Sequence, residues 1–172
     1  MSPSGACNMS LSILLVCAVA TVFTSQADRL ISAKGMGPIK VGMTLGEARK
    51  AAPGARFART GDGDGAALVE VTLAPDVALQ VWADEEGPST PIDWRKKIRH
   101  IESFSPAFRT AEGVHPGMKV SEANRIYGAT KEVETSEVES RQFITFEKHP
   151  AGLMFRLDET GQVLLSISVS SS

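Results

Sequence analysis

The chain has 172 residues, of which 42% are hydrophobic and 22% are charged. This composition is ordinary for a folded protein and suffices for one domain or two very small ones, so disorder is excluded as the main state. The formal net charge is −2, and the lysines and arginines are spread along the sequence. We therefore expect no nucleic-acid partner, because there is no basic excess to neutralise a phosphate backbone.

The N-terminal segment has the features of an export signal. An apolar run extends from Leu11 to Phe23, small side chains follow at Ser25 and Ala27, and the first charged side chain is Asp28. This pattern predicts a signal peptide, residues 1–27, and a mature protein that is periplasmic or secreted. The apolar run is shorter than the roughly 20 residues that a membrane span needs, so we expect no stable span after cleavage.

Several details of this segment leave alternatives open. No Lys or Arg precedes the apolar run, and a translation start at Met9 would not supply one, so a buried or membrane helix is the alternative. Both cysteines, Cys7 and Cys17, lie in the segment, so the mature chain would have no disulfide and no thiolate metal ligand. Cys17 resembles a lipoprotein processing site, but Val16 stands where such sites carry a small residue.

The sequence contains an internal repeat. Gly-Met-Thr-Leu-Gly-Glu-Ala-Arg at 42–49 is similar to Gly-Met-Lys-Val-Ser-Glu-Ala-Asn at 117–124, an offset of about 75 residues. Residues 77–85 and 151–159 form a second similar pair at almost the same offset. Two matches in the same order indicate a duplication.

Each copy predicts one short helix near its beginning. Thr44 and Glu47 have the spacing of a capping box, which predicts that the first helix starts there. In the second copy Lys119 replaces the capping threonine, Ser121 is an alternative cap that would shift the helix start by two residues, and Gly128 predicts a left-handed C-terminal cap.

Alternating apolar residues predict three strands after each helix. In the first copy they are Val69, Val71 and Leu73, then Val77, Leu79 and Val81, then the stretch 97–103. In the second copy they are Ile144 and Phe146, then Leu153, Phe155 and Leu157, then Val163, Leu165, Ile167 and Val169. The predicted fold class is α+β: two tandem units, 28–106 and 107–172, each a helix plus a three-stranded antiparallel meander, joined in one layered domain.

These tandem units, which open with a Gly-Met step into a Glu-Ala helix, resemble the β-lactamase inhibitory protein class. They are also similar to the small outer-membrane assembly lipoproteins called BamE or SmpA. The resemblance covers most of residues 35–170 and implies helical elements packed on one sheet in a protein that binds other proteins. It assigns no contact residue, because the matching residues are the helix-opening turn.

Few residues suggest catalysis or metal binding. Gly61-Asp62-Gly63-Asp64-Gly65 places two carboxylates one residue apart, but the further oxygen ligands of a calcium loop are missing, so a polar turn is the favoured interpretation. His100, His115 and His149 show no metal-ligand spacing. Because motifs for nucleophilic catalysis and phosphate binding are also absent, we predict no catalytic residue, metal or cofactor.

The first copy contains an extra segment, 88–97, where the second has a tight turn. Trp94 and Arg95 within it are the residue types most enriched at energetic centres of interfaces, which makes them candidate partner contacts. The alternative is that Trp94 covers the edge of the core while the neighbouring cations stay solvated. Trp82, on the strand face opposite Val81, either extends this patch or is covered by the second copy.

The functional prediction is an exported, non-catalytic module that binds or inhibits a protein partner. The alternative is a small hydrolase or small-ligand protein with its site at the junction of the two copies. Ionisable side chains around a deep pocket favour the alternative, whereas a shallow face or a protruding loop favours binding.

Overall fold

The computed structural model describes residues 29–61, 67–83, 90–136 and 140–171. Outside the described residues lie the predicted signal peptide with both cysteines, residues 62–65 of the Asp-Gly sequence, and the first two residues of the extra segment. The predictions made for these residues stay predictions.

The described chain begins with a small antiparallel sheet of three two-residue strands: β1 (Ile31–Ser32), β2 (Gly35–Met36) and β3 (Ile39–Lys40). Gly35, the first residue of β2, must be a glycine, because a Cβ at this position would lie 2.2 Å from the Ile39 carbonyl oxygen. Ile31, Met36 and Ile39 are buried, so this sheet covers part of the core.

The two helices begin at equivalent positions with different caps. Helix α1 (Leu45–Ala51) starts at the predicted capping box, in which the Thr44 hydroxyl accepts from the Glu47 N–H and the Glu47 carboxylate accepts from the Thr44 N–H. Helix α2 (Val120–Tyr127) starts after Lys119, whose side chain makes no capping hydrogen bond. The first capping prediction is confirmed, and the alternative start at Ser121 is wrong.

Eight further strands form one antiparallel sheet with the order β4-β5-β6-β7-β11-β10-β9-β8. Their bounds are β4 (Arg56–Gly61), β5 (Ala67–Ala74), β6 (Val77–Trp82), β7 (His100–Ser103), β8 (Thr130–Thr135), β9 (Gln142–Phe146), β10 (Leu153–Leu157) and β11 (Leu164–Ser170). We call α1 with β4–β7 half one, and α2 with β8–β11 half two. The halves join where β7 pairs with β11, with Ile101 opposite Val169.

The predicted fold class is wrong. The described structure is mostly β, with 45% strand, 12% helix and sheets of three and eight strands, rather than α+β units of one helix and a three-stranded meander. Strands β1–β3, β4 and β8 were not predicted. β1–β3 are too short for alternation to be visible, and the edge strands β4 and β8 carry mostly polar residues because neither of their faces is fully buried.

The Gly-Met step has the same structural role in both halves. Gly42 and Gly117 have φ angles of 85° and 84°, in the region that favours glycine. The Gly42 N–H donates to the Ile98 carbonyl, and the Gly117 N–H donates to the Leu164 carbonyl, at 2.8 and 2.7 Å. Each turn therefore ties a helix start to the residue that leads into, or opens, the last strand of its half.

One face of the eight-stranded sheet holds the core. Both helices and the small sheet contribute buried side chains to the same cluster as the inward residues of β5, β6, β9 and β10, as the alternation predicts. Strand β11 departs from the predicted alternation. Leu164 is buried and Leu165 is exposed, because a register shift opposite Arg156–Leu157 changes which residues of β11 face inward. The prediction that Leu165 faces inward is wrong.

Candidate functional site

The extra segment of half one forms an ordered turn around Asp93. The Asp93 carboxylate accepts the Arg95 N–H at 3.0 Å and the Arg95 Nε at 3.1 Å, and the Asp93 carbonyl accepts the Lys96 N–H. The hydrogen bonds from Arg95 hold the pKa of Asp93 below its usual value. The Arg95 side chain is 91% exposed, so its pairing with Asp93 fixes the turn while its outer surface remains available to solvent.

Helix α1 holds this turn through its backbone. The Gly46 N–H donates to the Trp94 carbonyl at 2.8 Å, and the Leu45 N–H donates to the Lys96 carbonyl at 2.9 Å. A Cβ at position 46 would lie 3.0 Å from the Trp94 carbonyl oxygen, which is tighter than ordinary contact. Glycine costs about 1 kcal/mol relative to alanine inside a helix. The close approach of the Trp94 carbonyl explains why position 46 is nevertheless a glycine.

The Trp94 ring is half-buried between the sheet and the helix. Its centroid lies 5.7 Å from that of Phe57 in an edge-to-face arrangement, and the Arg49 guanidinium carbon lies 4.9 Å from it. Trp94 also packs against the core. The position of Trp94 is thus compatible with both interpretations of the sequence, because the ring covers the edge of the core and is also partly exposed to a partner.

A shallow groove of about 470 Å³ runs beside the ring, between Trp94 and the α1 surface formed by Gly46, Arg49, Lys50 and Pro53. We call it the Trp94 groove. Arg95, Lys96 and Lys97 follow Trp94 in the sequence, and the nearby carboxylates, Asp93 and Glu47, are engaged by the turn and by the capping box. The groove is therefore basic, in a chain whose formal net charge is −2.

Trp82 does not extend this patch. It lies on the face of the sheet opposite the helices, where its ring is edge-on to that of His100 with centroids 4.9 Å apart. Trp94 packs on the helix side. The two tryptophans predicted as partner contacts therefore belong to different surfaces.

A second polar group of residues, missed by the sequence analysis, lies where the two halves join. His100 and Glu102 of β7, Arg156 of β10, and Ser166 and Ser170 of β11 form this junction cluster, on the same sheet face as Trp82. Their alternation with buried Ile101 and Ile167 was visible in the sequence. The pairing of β7 with β11 was not, because it joins strands at the ends of two different halves.

The contacts of the junction cluster are structural in kind. Glu102 is buried, accepts a hydrogen bond from the Ser166 hydroxyl, and lies 4.0 Å from an Arg156 nitrogen. His100 Nδ1 lies 2.8 Å from the Ser170 hydroxyl oxygen. Among the described residues no carboxylate hydrogen-bonds the His100 ring, so the orienting acid of a nucleophile–base–acid relay is missing.

The electrostatics of the cluster follow from burial. Burial lowers the pKa of His100, with a further lowering from Arg141 and an opposing effect of Glu102. Burial, followed by the positive charge of Arg141, also lowers the pKa of Arg156. The neighbouring cavity, about 290 Å³, is lined by Arg156 but by neither His100 nor Glu102. The cluster thus lies on a sheet face and not inside a deep pocket.

Comparison of the chain with protein-family models, with curated proteins and with solved structures gave no match. The resemblance noted from the helix-opening turns therefore stays a prediction. Within the described ranges, no group of three or more His, Cys, Asp or Glu side chains has metal-binding geometry. In the same part of the chain, neither helix has the length and apolar character that crossing a membrane would require.

Proposed function

We propose that this protein is an exported, non-catalytic binding module that holds an acidic surface of a protein partner, in an inhibitor-like manner, through the Trp94 groove. The observation that carries the proposal is the extra segment of half one, which fixes a half-exposed tryptophan against a basic helix surface. Half two closes the corresponding connection with a short turn at Asp158, so the sheet can be completed without such a segment.

The chemistry of the groove indicates the partner. Arg49 and Lys50 line the groove beside one aromatic ring, and three further cations follow Trp94 in the sequence, at 95–97. This combination suits a carboxylate-rich protein surface. The cations would speed association and suppress basic partners, whereas the ring and Pro53 would supply apolar contact. The ring is also held in place before binding by Phe57, Arg49 and the Gly46 hydrogen bond, which reduces the entropy lost on association.

The export part of the proposal rests on the N-terminal sequence. Cleavage after Ala27 would leave every described residue in the mature chain, since the description begins at Arg29. Mass spectrometry of the protein from an expressing bacterium should find Asp28 at the N-terminus. An intact N-terminus in the cytoplasmic fraction would contradict export.

The binding part is tested on a partner captured from envelope extract and then purified. Its affinity is measured for the wild type, for Trp94→Ala and for Lys50→Glu, with Trp82→Ala as the matched control on the opposite sheet face. We expect Trp94→Ala to weaken binding by roughly 1 to 3 kcal/mol, the range of an interface hot spot. Lys50 is exposed in the last turn of α1, so Lys50→Glu should weaken binding and reduce its dependence on salt. Its cost in stability should stay below about 1 kcal/mol, the effect of one charge at a helix end.

The variants distinguish the Trp94 groove from the opposite sheet face, and a lost binding contact from a loss of stability. Trp94→Ala also removes packing against Phe57, so its melting temperature is measured with its affinity, and Lys50→Glu decides whether the groove itself is used. Loss of affinity in Trp82→Ala, together with unchanged affinity in Lys50→Glu, would place the contact on the junction face and contradict the proposal.

A further inference from the structure

A small apolar cleft lies at the C-terminal end of α1. Its volume is about 240 Å³. Its lining side chains are mostly small and apolar, and Arg29 is the only charged one among them: Arg29, Pro38, Ala51, Ala52, Pro53, Gly54, Ala55, Leu73, Ala74 and Val77. We call it the α1 cleft.

The same part of half two is filled with aromatic rings. The residue 75 positions after Ala52, in the same helix register, is Tyr127. Its ring centroid lies 5.6 Å from that of Phe146 and 5.8 Å from that of Phe155, and the His149 ring lies against both phenylalanines.

Half one has smaller side chains at the matching core positions. The sheet registers place Val71 and Val81 where half two has Phe146 and Phe155. Of Ala52, Val71 and Val81, only Ala52 lines the cleft. The small side chain at position 52, where half two has the Tyr127 ring, therefore leaves space at the helix end of half one.

We propose that the α1 cleft binds a small organic carboxylate with an apolar body, placing its carboxylate at Arg29. The lining favours an apolar group, and the volume exceeds the roughly 150 Å³ of an engineered cavity that accepts benzene. The free carbonyls at the end of α1 disfavour an anion, but Arg49 and Lys50 lie in the same last turn and offset them. This inference does not depend on the proposed partner surface, because the groove and the cleft share only Pro53 among their lining residues.

Hexanoate and hexanol are the probes, each titrated to about 10 mM, since ligands of this size bind weakly. Binding is followed by amide chemical shifts of the wild-type protein. We expect saturable shifts for hexanoate at Ala52, Leu73 and Val77, and at least about tenfold weaker binding of hexanol. Saturable hexanol binding as tight as that of hexanoate would overturn the assignment of an anionic ligand.

Ala52→Tyr brings the half-two residue into the cleft and tests the location. We expect hexanoate binding to weaken by at least about tenfold, with a melting temperature no lower than that of the wild type if the ring fills the space. If Ala52→Tyr proves unstable, Ala55→Leu serves as a smaller filling variant. Arg29→Gln should weaken hexanoate binding and leave the weak hexanol binding unchanged. Hexanoate shifts that persist unchanged in a folded filling variant, or in Arg29→Gln, would overturn the proposal.

Discussion

Gly42 and Gly117 occupy the same turn in the two halves, yet the residues four positions later differ: Gly46 in half one and Ser121 in half two. Both turns donate to the residue that leads into a last strand. Only in half one does a tryptophan carbonyl approach the helix, and only there is the residue a glycine. One backbone frame therefore carries two different surfaces, because small residues in half one leave room for the Trp94 turn and for the α1 cleft.

The core side chains of half one are also smaller than those of half two, and the largest expected effect on stability tests this difference. Phe155 is fully buried against Tyr127 and Phe146, whereas Val81 occupies the matching position in half one. Phe155→Ala should lower the free energy of unfolding by about 3 to 5 kcal/mol. Val81→Ala removes two buried carbon groups and should cost about 2 kcal/mol. Chemical denaturation of each variant would measure its loss.

Equal losses in the two variants would contradict the view that half two has the larger aromatic core. A loss below about 1 kcal/mol for Phe155→Ala would show that the cluster of Tyr127, Phe146 and Phe155 contributes little to stability.

Substitutions at the helix caps should change stability by a smaller amount, and the capping threonine of half one can be introduced into half two. Thr44→Ala removes the hydroxyl that accepts from the Glu47 N–H and should cost about 1 kcal/mol. Lys119→Thr supplies the missing hydroxyl in half two, where the Lys119 N–H already donates to the Glu122 carboxylate at 3.2 Å. It should stabilise the protein by about 0.5 to 1 kcal/mol. A destabilising Lys119→Thr would mean that the start of α2 is positioned differently from that of α1.

The sequence was sufficient wherever one local rule decided the structure. The capping box and the inward faces of β5, β6, β9 and β10 each depend on spacing within a few residues, and each is confirmed. Leu165 was misplaced because a register shift depends on the partner strand, which a single strand's alternation cannot reveal.

The junction cluster was missed for a related reason. His100 and Ser170 are in contact only because β7 pairs with β11, and no local pattern states which strands are neighbours. The Trp94 segment was recognised because it interrupts a repeat. Its position on the helix side, opposite Trp82, depends on the hydrogen bonds between the segment and α1, which join residues far apart in the sequence.

The smallest expected effect concerns His100, at the boundary that both halves share. Burial lowers its pKa below the ordinary value of 6.5. As the pH falls through 6.5, the unfolded chain takes up a proton that the folded protein resists, so the folded state loses stability between pH 6.5 and the lower folded pKa.

His100→Gln isolates this contribution, because subtracting its stability profile from that of the wild type removes the effect of the carboxylates. The charged groups near the ring are Glu102, which favours protonation, and Arg141, which opposes it. The difference profile should fall as the pH is lowered from 6.5 towards 5, and the His100 ring proton should titrate below 6.5 in an NMR measurement. A pKa above 6.5, with stability rising on acidification in the same window, would mean that the Glu102 charge outweighs burial. Protonation of His100 would then stabilise the junction of the two halves, which is the opposite of what the burial of its ring implies.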